Sequence, residues 1–221
     1  AEEIGLEQSP VALLFSNDKP DGAVGFAEGR WGCVMSLLNA AAAGRTAVYA
    51  RGVGCRGGQI GLGLCDTYAG TPGGIEYFLS CGRGEGFPEG ERYRKTPELA
   101  RAFVEQLPRV NLPYDYVVLK ALERLAPGET PEVVIFLVNP DQLTALVVLA
   151  NYGRATADNV IIPFASGCQS IGILPYAEAK REAPRAVVGT LDVSARPFMA
   201  ADQLTFAMPL ALFREMEANV E

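Results

Sequence analysis

Three of the five cysteines in this 221-residue chain directly follow a glycine: Gly32-Cys33, Gly54-Cys55 and Gly167-Cys168. Each pair stands where the surrounding pattern predicts a helix to open. A glycine lets the backbone approach a ligand closely, and the free N–H groups of a helix start favour a thiolate. Such placement can carry a cysteine pKa from about 8.5 down to roughly 3.5–7.5. A thiolate is the form that binds metal or attacks an electrophile. The chain has no histidine, which removes Ser–His and Cys–His nucleophile pairs and every histidine-containing metal site. It also has no C-x-x-C, so ribbon-type zinc and ferredoxin spacings are absent. Zinc without histidine calls for four cysteines in close pairs, whereas an iron–sulfur cluster can be anchored by dispersed ones. The expected cofactor is therefore an iron–sulfur cluster, of the 4Fe-4S type, on Cys33, Cys55 and Cys168. Cys65, Cys81 or an exogenous ligand would take the fourth place. The competing reading treats cysteines as small buried hydrophobes, and it suits Cys65, within Gly63-Leu64-Cys65-Asp66, best.

Further polar groups stand at the ends of apolar runs. Gly52-Val53-Gly54-Cys55-Arg56-Gly57 matches G-x-G-x-x-G after a predicted strand, with Glu76 further along, and makes Gly54, Gly57 and Gly58 candidate cofactor contacts. Dinucleotide sites normally open on the first strand of a βαβ unit, and a chain with 24 glycines meets this pattern by chance. Asn139-Pro140-Asp141-Gln142 and Ser194-Ala195-Arg196-Pro197 are polar loops of the kind where open α/β sheets place ligands. Arg196 could bind an anionic group and Asn139 could hydrogen-bond a polar one. The alternatives are helix capping for Asn139 and a surface ion pair for Arg196.

These residues need a scaffold. Val11–Phe15, Thr46–Ala50, Tyr114–Leu119, Glu132–Val138, Val160–Phe164, Ala186–Leu191 and Leu204–Ala207 have the apolar, β-branched character of strands. Helices are predicted from Cys33 to Ala43, stopping at Gly44, from Cys55 through Leu64, over Gly73–Leu79, from Thr96 to Leu107 and over Lys120–Leu125. Others run from Pro140 to Tyr152, from Ser166 with an interruption near Pro175, and from Leu210 to Ala218. Cys81–Gly90 reads as a glycine-rich loop. Strands and helices alternate, the pattern of an α/β (or α+β) fold with helices packed on a mixed or parallel sheet. Asn39–Leu64 and Leu149–Leu174 echo one another, with a helix ending at glycine, a strand, and then Gly-Cys, which would make Cys55 equivalent to Cys168. Similar strand–turn–helix units also arise without duplication.

Composition bounds the rest. The length suits one domain spanning 1–221, or two fused and related halves. Apolar residues make up 49% and charged residues 20%, as in ordinary globular proteins. A net charge of −7 leaves no broad basic surface, so neither nucleic acid nor anionic membrane is expected as a partner. The longest apolar runs are far shorter than a bilayer span, and Ala1–Gln8 has no basic segment leading into an apolar one. Five cysteines, an odd number, argue for thiols or metal ligands in a reducing compartment, hence a cytoplasmic protein. The apolar helix around Leu143–Ala150 suits either a core or an interface between copies, so a homo-oligomer is compatible.

The chain resembles the domain-of-unknown-function 169 family of bacterial and archaeal proteins. The resemblance lies in Pro10-Val11-Ala12, the helix opened by Cys33, Cys55-Arg56-Gly57-Gly58 with Gly61-Leu62-Gly63, and Glu132-Val133-Val134 through Gln142. It continues in Cys168 and in Arg196 before Met208-Pro209. The family carries no known activity. The resemblance implies that Cys33, Cys55 and Cys168 occupy positions where the family pattern also has cysteine, whereas Cys81 departs from it. The leading expectation is an iron–sulfur protein with one iron open to a small ligand, or with a redox partner. A metal-free module binding a small molecule at the carboxyl ends of its strands is the second. Thiol catalysis through Cys55 or Cys168 is the third.

Overall fold

A computed structural model describes residues 4–71, 74–80 and 91–220. Strand β1 (Val11–Ser16) leads to helix α1 (Val34–Ala42), strand β2 (Ala47–Ala50) and the short helix α2 (Arg56–Gly61). The short α3 (Ile75–Phe78) and α4 (Pro97–Gln106) precede β3 (Tyr116–Ala121), β4 (Val133–Val138) and the long α5 (Pro140–Tyr152). Then come β5 (Val160–Ile161), α6 (Gly167–Ile171), α7 (Ile173–Glu178), β6 (Ala186–Gly189), β7 (Leu204–Pro209) and α8 (Leu210–Ala218).

The strands form one mixed sheet of order β2-β3-β1-β4-β7-β6-β5. Only β5–β6 pair parallel; the other neighbours are antiparallel. The fold is thus α/β, but the sheet is more antiparallel than the alternating pattern alone suggests. Strand alternation sorts the core into two faces. Val11, Leu13, Val133 and Ile135 point to one face and pack under α1. Val134, Phe136 and Val138 point to the other and pack under α5 and α8. On α5, Leu146 and Ala150 are buried while Val148 and Tyr152 are exposed. No helix among the described residues is long and apolar enough to cross a membrane.

Several boundaries move for identifiable reasons. The helix expected over Lys120–Leu125 is replaced by continuation of β3 to Ala121 and a 3-10 turn over Leu122–Arg124, because Ala121 and Lys120 pair with Val11 and Ala12 of β1. The strand expected to reach Leu191 stops at Gly189, where Thr190 turns left-handed with φ 63. The helix opened at Ser166 breaks at Gly172, three residues before Pro175; the proline sits in the first turn of α7, where its missing N–H costs nothing.

The internal echo has a partial counterpart. β1-α1-β2 and β4-α5-β5 each end on an edge strand, at opposite ends of the sheet. However, α1 and α5 lie on opposite faces while β1 and β4 run antiparallel, so the two crossovers differ in hand and no single rotation superposes them. Cys55 is the N-cap of α2, whereas Ser166 caps α6 and Cys168 falls within its first turn.

Candidate functional site

The three glycine–cysteine pairs converge. Cys33 caps α1, Cys55 caps α2 and Cys168 lies in the first turn of α6. Each preceding glycine abuts a neighbouring element too closely for a side chain. A Cβ on Gly32 would overlap the Phe26 ring. One on Gly54 would come within 2.6 Å of the Tyr49 hydroxyl, and one on Gly167 within 2.8 Å of Ala195 Cβ. Gly54 also holds φ 85, a left-handed conformation that glycine adopts without strain. The glycines therefore serve packing that draws the helix openings together. Helices α2 and α6 touch directly: a Cβ on Gly61 would sit 2.7 Å from Cys168 Sγ. The Cys168 thiol donates to the Gly57 carbonyl at 3.2 Å.

All three cysteines line one cavity of about 330 Å³. Its apolar side includes Trp31, Tyr68, Phe78 and Phe103. Several of these belong to a satellite cluster built on Leu79, Ala100 and Val104 of the α3–α4 layer. That layer contributes Phe78 and Phe103 to the lining, while Trp31 and Tyr68 come from the segments before α1 and after α2. Trp31 is 68% exposed, a large apolar surface held in water beside the cysteines. The polar side is formed by Glu91, Tyr93, Asp192 and Ser194. Tyr93 donates its hydroxyl to Asp192 Oδ2 at 2.8 Å, the Ala195 N–H donates to the same oxygen at 3.2 Å, and Ser194 Oγ donates to Glu91 Oε1. Asp192 is only 1% exposed, and its Oδ1 has no hydrogen-bond partner among the described residues. The carboxylate is delivered by a strained turn. Thr190, two residues earlier, is a buried β-branched residue at positive φ, a conformation costing on the order of 1–3 kcal/mol.

Electrostatics overturn one expectation. Helix openings predict lowered thiol pKa values, but α2 and α6 are only six and five residues long and their openings are partly buried. Burial dominates at Cys33, pushing its thiol up to about 11 against the opposing Met35 N–H. Burial likewise raises Cys168 well above the ordinary thiol value, with Cys55 adding to it and the Ser166 hydrogen bond opposing it. Burial also raises Asp192 and Glu91. The Gly167 N–H favours the charged form of Asp192 without completing a hydrogen bond to Oδ1. Cys33, Cys168, Asp192 and Glu91 are therefore biased toward their protonated forms, chiefly because burial disfavours the charged ones.

The other sequence candidates take structural places. Gly54 and Gly58 make room for the Tyr49 side chain, whose hydroxyl donates to the Cys55 carbonyl at 2.7 Å. Of the G-x-G-x-x-G glycines, Gly57 does line the cavity. The motif follows β2, an edge strand, and Glu76 pairs with Arg101 at 3.0 Å. Asn139 caps α5 by accepting from the Gln142 N–H at 2.9 Å, and is absent from the cavity wall. Arg196 donates to the carbonyls of Ala200, Ala201 and Gln203, closing its own turn. Cys65 donates to the Thr67 carbonyl and does not line the cavity; Cys81 lies outside the described residues.

Sequence reading missed Asp192, Glu91, Tyr93 and the aromatic wall. Asp192 carried a usable signal, an acid just beyond the apolar run Ala186–Leu191. The aromatic residues carried none, since their elements are distant along the chain.

The family model described as DUF169, Uncharacterised ArCR, matches residues 1–219. The chain belongs to the DUF169 family. The match spans nearly the full length, so the sheet and all of the cavity's described lining fall within it. No curated protein and no solved structure compared with the chain matches it.

Proposed function

We propose that this DUF169 protein binds a 4Fe-4S cluster through Cys33, Cys55 and Cys168, with the remaining iron facing the cavity and a small ligand bound there. One observation carries the reading: three Gly-Cys pairs, far apart in sequence, open on a single cavity of about 330 Å³. No group of three or more Cys, Asp or Glu side chains among the described residues is arranged to hold a single ion. A cluster is wider than one ion and accommodates ligands spread around a cavity. An open iron would supply a Lewis-acidic position for a donor atom of the ligand. The chain's own groups do the rest. The Gly58 N–H donates to Cys55 Sγ at 3.2 Å, a bond that a ligating thiolate keeps, and aromatic side chains line the cavity. The raised thiols fit as well, because a positively charged iron core supplies the charge they lack. Free thiols in this number suit a reducing compartment such as the cytoplasm.

The test is iron and acid-labile sulfide content with a visible spectrum, on protein purified without oxygen. Stoichiometric iron and sulfide, lost in the Cys33→Ser/Cys55→Ser/Cys168→Ser variant, is the expected result. Absence of iron after reconstitution would overturn the cluster. A metal-free binding module would then remain, a reading that the aromatic lining by itself favours.

A further inference from the structure

Asp192 is a buried carboxylate on the cavity wall with one oxygen unused. Its Oδ2 accepts from Tyr93 and Ala195, while Oδ1 has no partner among the described residues. Leaving a buried acceptor unmet is costly, more so for a charged one, so a carboxylate retained in this state points to a missing donor. Glu91 stands beside it and accepts from Ser194. The one cation on the cavity wall among the described residues is Arg56, and its guanidinium is turned to the Thr67 and Ala69 carbonyls at 3.1 and 2.7 Å. Two carboxyls thus face the cavity with no cationic side chain among the described residues committed to them. The rest of the lining includes Trp31, Tyr68, Phe78 and Phe103, and aromatic faces attract cations as well as apolar bodies. Phe103 already shows this chemistry, with the Arg94 guanidinium 3.9 Å from its ring centroid.

We propose that the cavity is a binding site for a small cationic ligand, an amine with an aromatic or apolar body, whose N–H group donates to Asp192 Oδ1 while its body lies against the aromatic wall. The proposal rests on the ligand-binding half of the preceding reading and not on the cluster. Asp192 is its anchor, Tyr93 holds the anchor in place, and Glu91 adds a second negative group. An anionic ligand would meet two carboxyls and, among the described residues, no cation committed to them, so selectivity runs by charge.

Benzylamine, benzyl alcohol and benzoate share one ring and differ in charge, so their affinities for the wild-type protein, measured by ligand-observed NMR and calorimetry, form the first test. Benzylamine should bind at least tenfold more tightly than benzyl alcohol, and benzoate most weakly. Equal affinities, a preference for benzoate, or no benzylamine binding at millimolar concentration would overturn the proposal. Asp192→Asn keeps the shape and removes the charge, and should weaken benzylamine by more than tenfold with little change for benzyl alcohol; unchanged benzylamine binding would count against Asp192 as the anchor. If that variant does not fold, the wild-type charge series decides alone. The same titration on the iron-free triple serine variant separates the two ideas. Benzylamine binding retained there, with no iron in the wild-type protein, would sustain the cationic site while the cluster reading fails.

Discussion

Gly172 lies directly against the backbone of Gly61, so that a Cβ on Gly172 would overlap the Gly61 carbonyl oxygen. This close approach of the α6–α7 junction to α2 brings Cys168 beside the helix that Cys55 caps and that carries Gly57. Backbone cannot swing aside as a flexible side chain can. Gly172→Ala should therefore destabilise the fold by about 1–3 kcal/mol, as overpacking does, read as a lowered urea midpoint. If a cluster is bound, the same variant should lose iron, since two of its three ligands are displaced relative to each other. An unchanged midpoint would show that the crossing relaxes freely.

The Cys33 thiol should be slow to react in the metal-free native state. Burial pushes it up to about 11 from an ordinary 9.0. Two units of difference leave about 100-fold less thiolate at pH 8 than in the unfolded chain. Iodoacetamide labelling followed by peptide mass spectrometry reads this directly. The rate at Cys33 should keep climbing as pH rises toward 11, and a rate that levels off near pH 8 would contradict it.

Asp192 gives stability a pH dependence of known sign. Its folded pKa is raised above the ordinary 3.8, chiefly by burial. Between those two values the folded state holds the proton more tightly than the unfolded chain, so this group's contribution is fully present below 3.8 and declines as pH rises through the folded value. Asp192→Asn lacks that titration. The stability of the wild type relative to the variant should fall as pH increases from about 3, measured by urea unfolding at a series of pH values. A relative stability that grows with pH would show Asp192 to be favoured in its charged form.

Arg51 fastens the segment before β3 to the end of β2. Its guanidinium donates to the carbonyls of Leu64, Leu112 and Tyr114 and to Asn111 Oδ1 at 2.9 Å, while Asp115 lies 3.9 Å away and mostly exposed. The carbonyl bonds, not the ion pair, account for its contribution. Arg51→Ala should cost about 2–4 kcal/mol, with only weak dependence on added salt. A loss that vanishes in high salt would reassign the effect to Asp115.

Much of this could be read along the chain. Apolar runs and capping residues marked most strands and helices, because a strand's alternation and a helix's cap are local properties. Thr96 with Pro97 at α4 is read correctly, and Asn139 at α5 takes the capping place that stood as the alternative to its ligand role, since the groups involved lie within three residues of one another. The three Gly-Cys pairs were visible for the same reason. Lys120–Leu125 misled because only the pairing of Lys120 and Ala121 with β1 makes them strand.

The sequence by itself determined the alternating α/β order, the lack of histidine chemistry and the three cysteines at helix openings, all matters of residue type and near spacing. Only the tertiary structure decided that those openings share one cavity and that Asp192 and Tyr93 meet there across 99 residues. It also decided that the Cys33 and Cys168 thiols are pushed up, since desolvation depends on everything packed around a group and not on the cysteine's own helix.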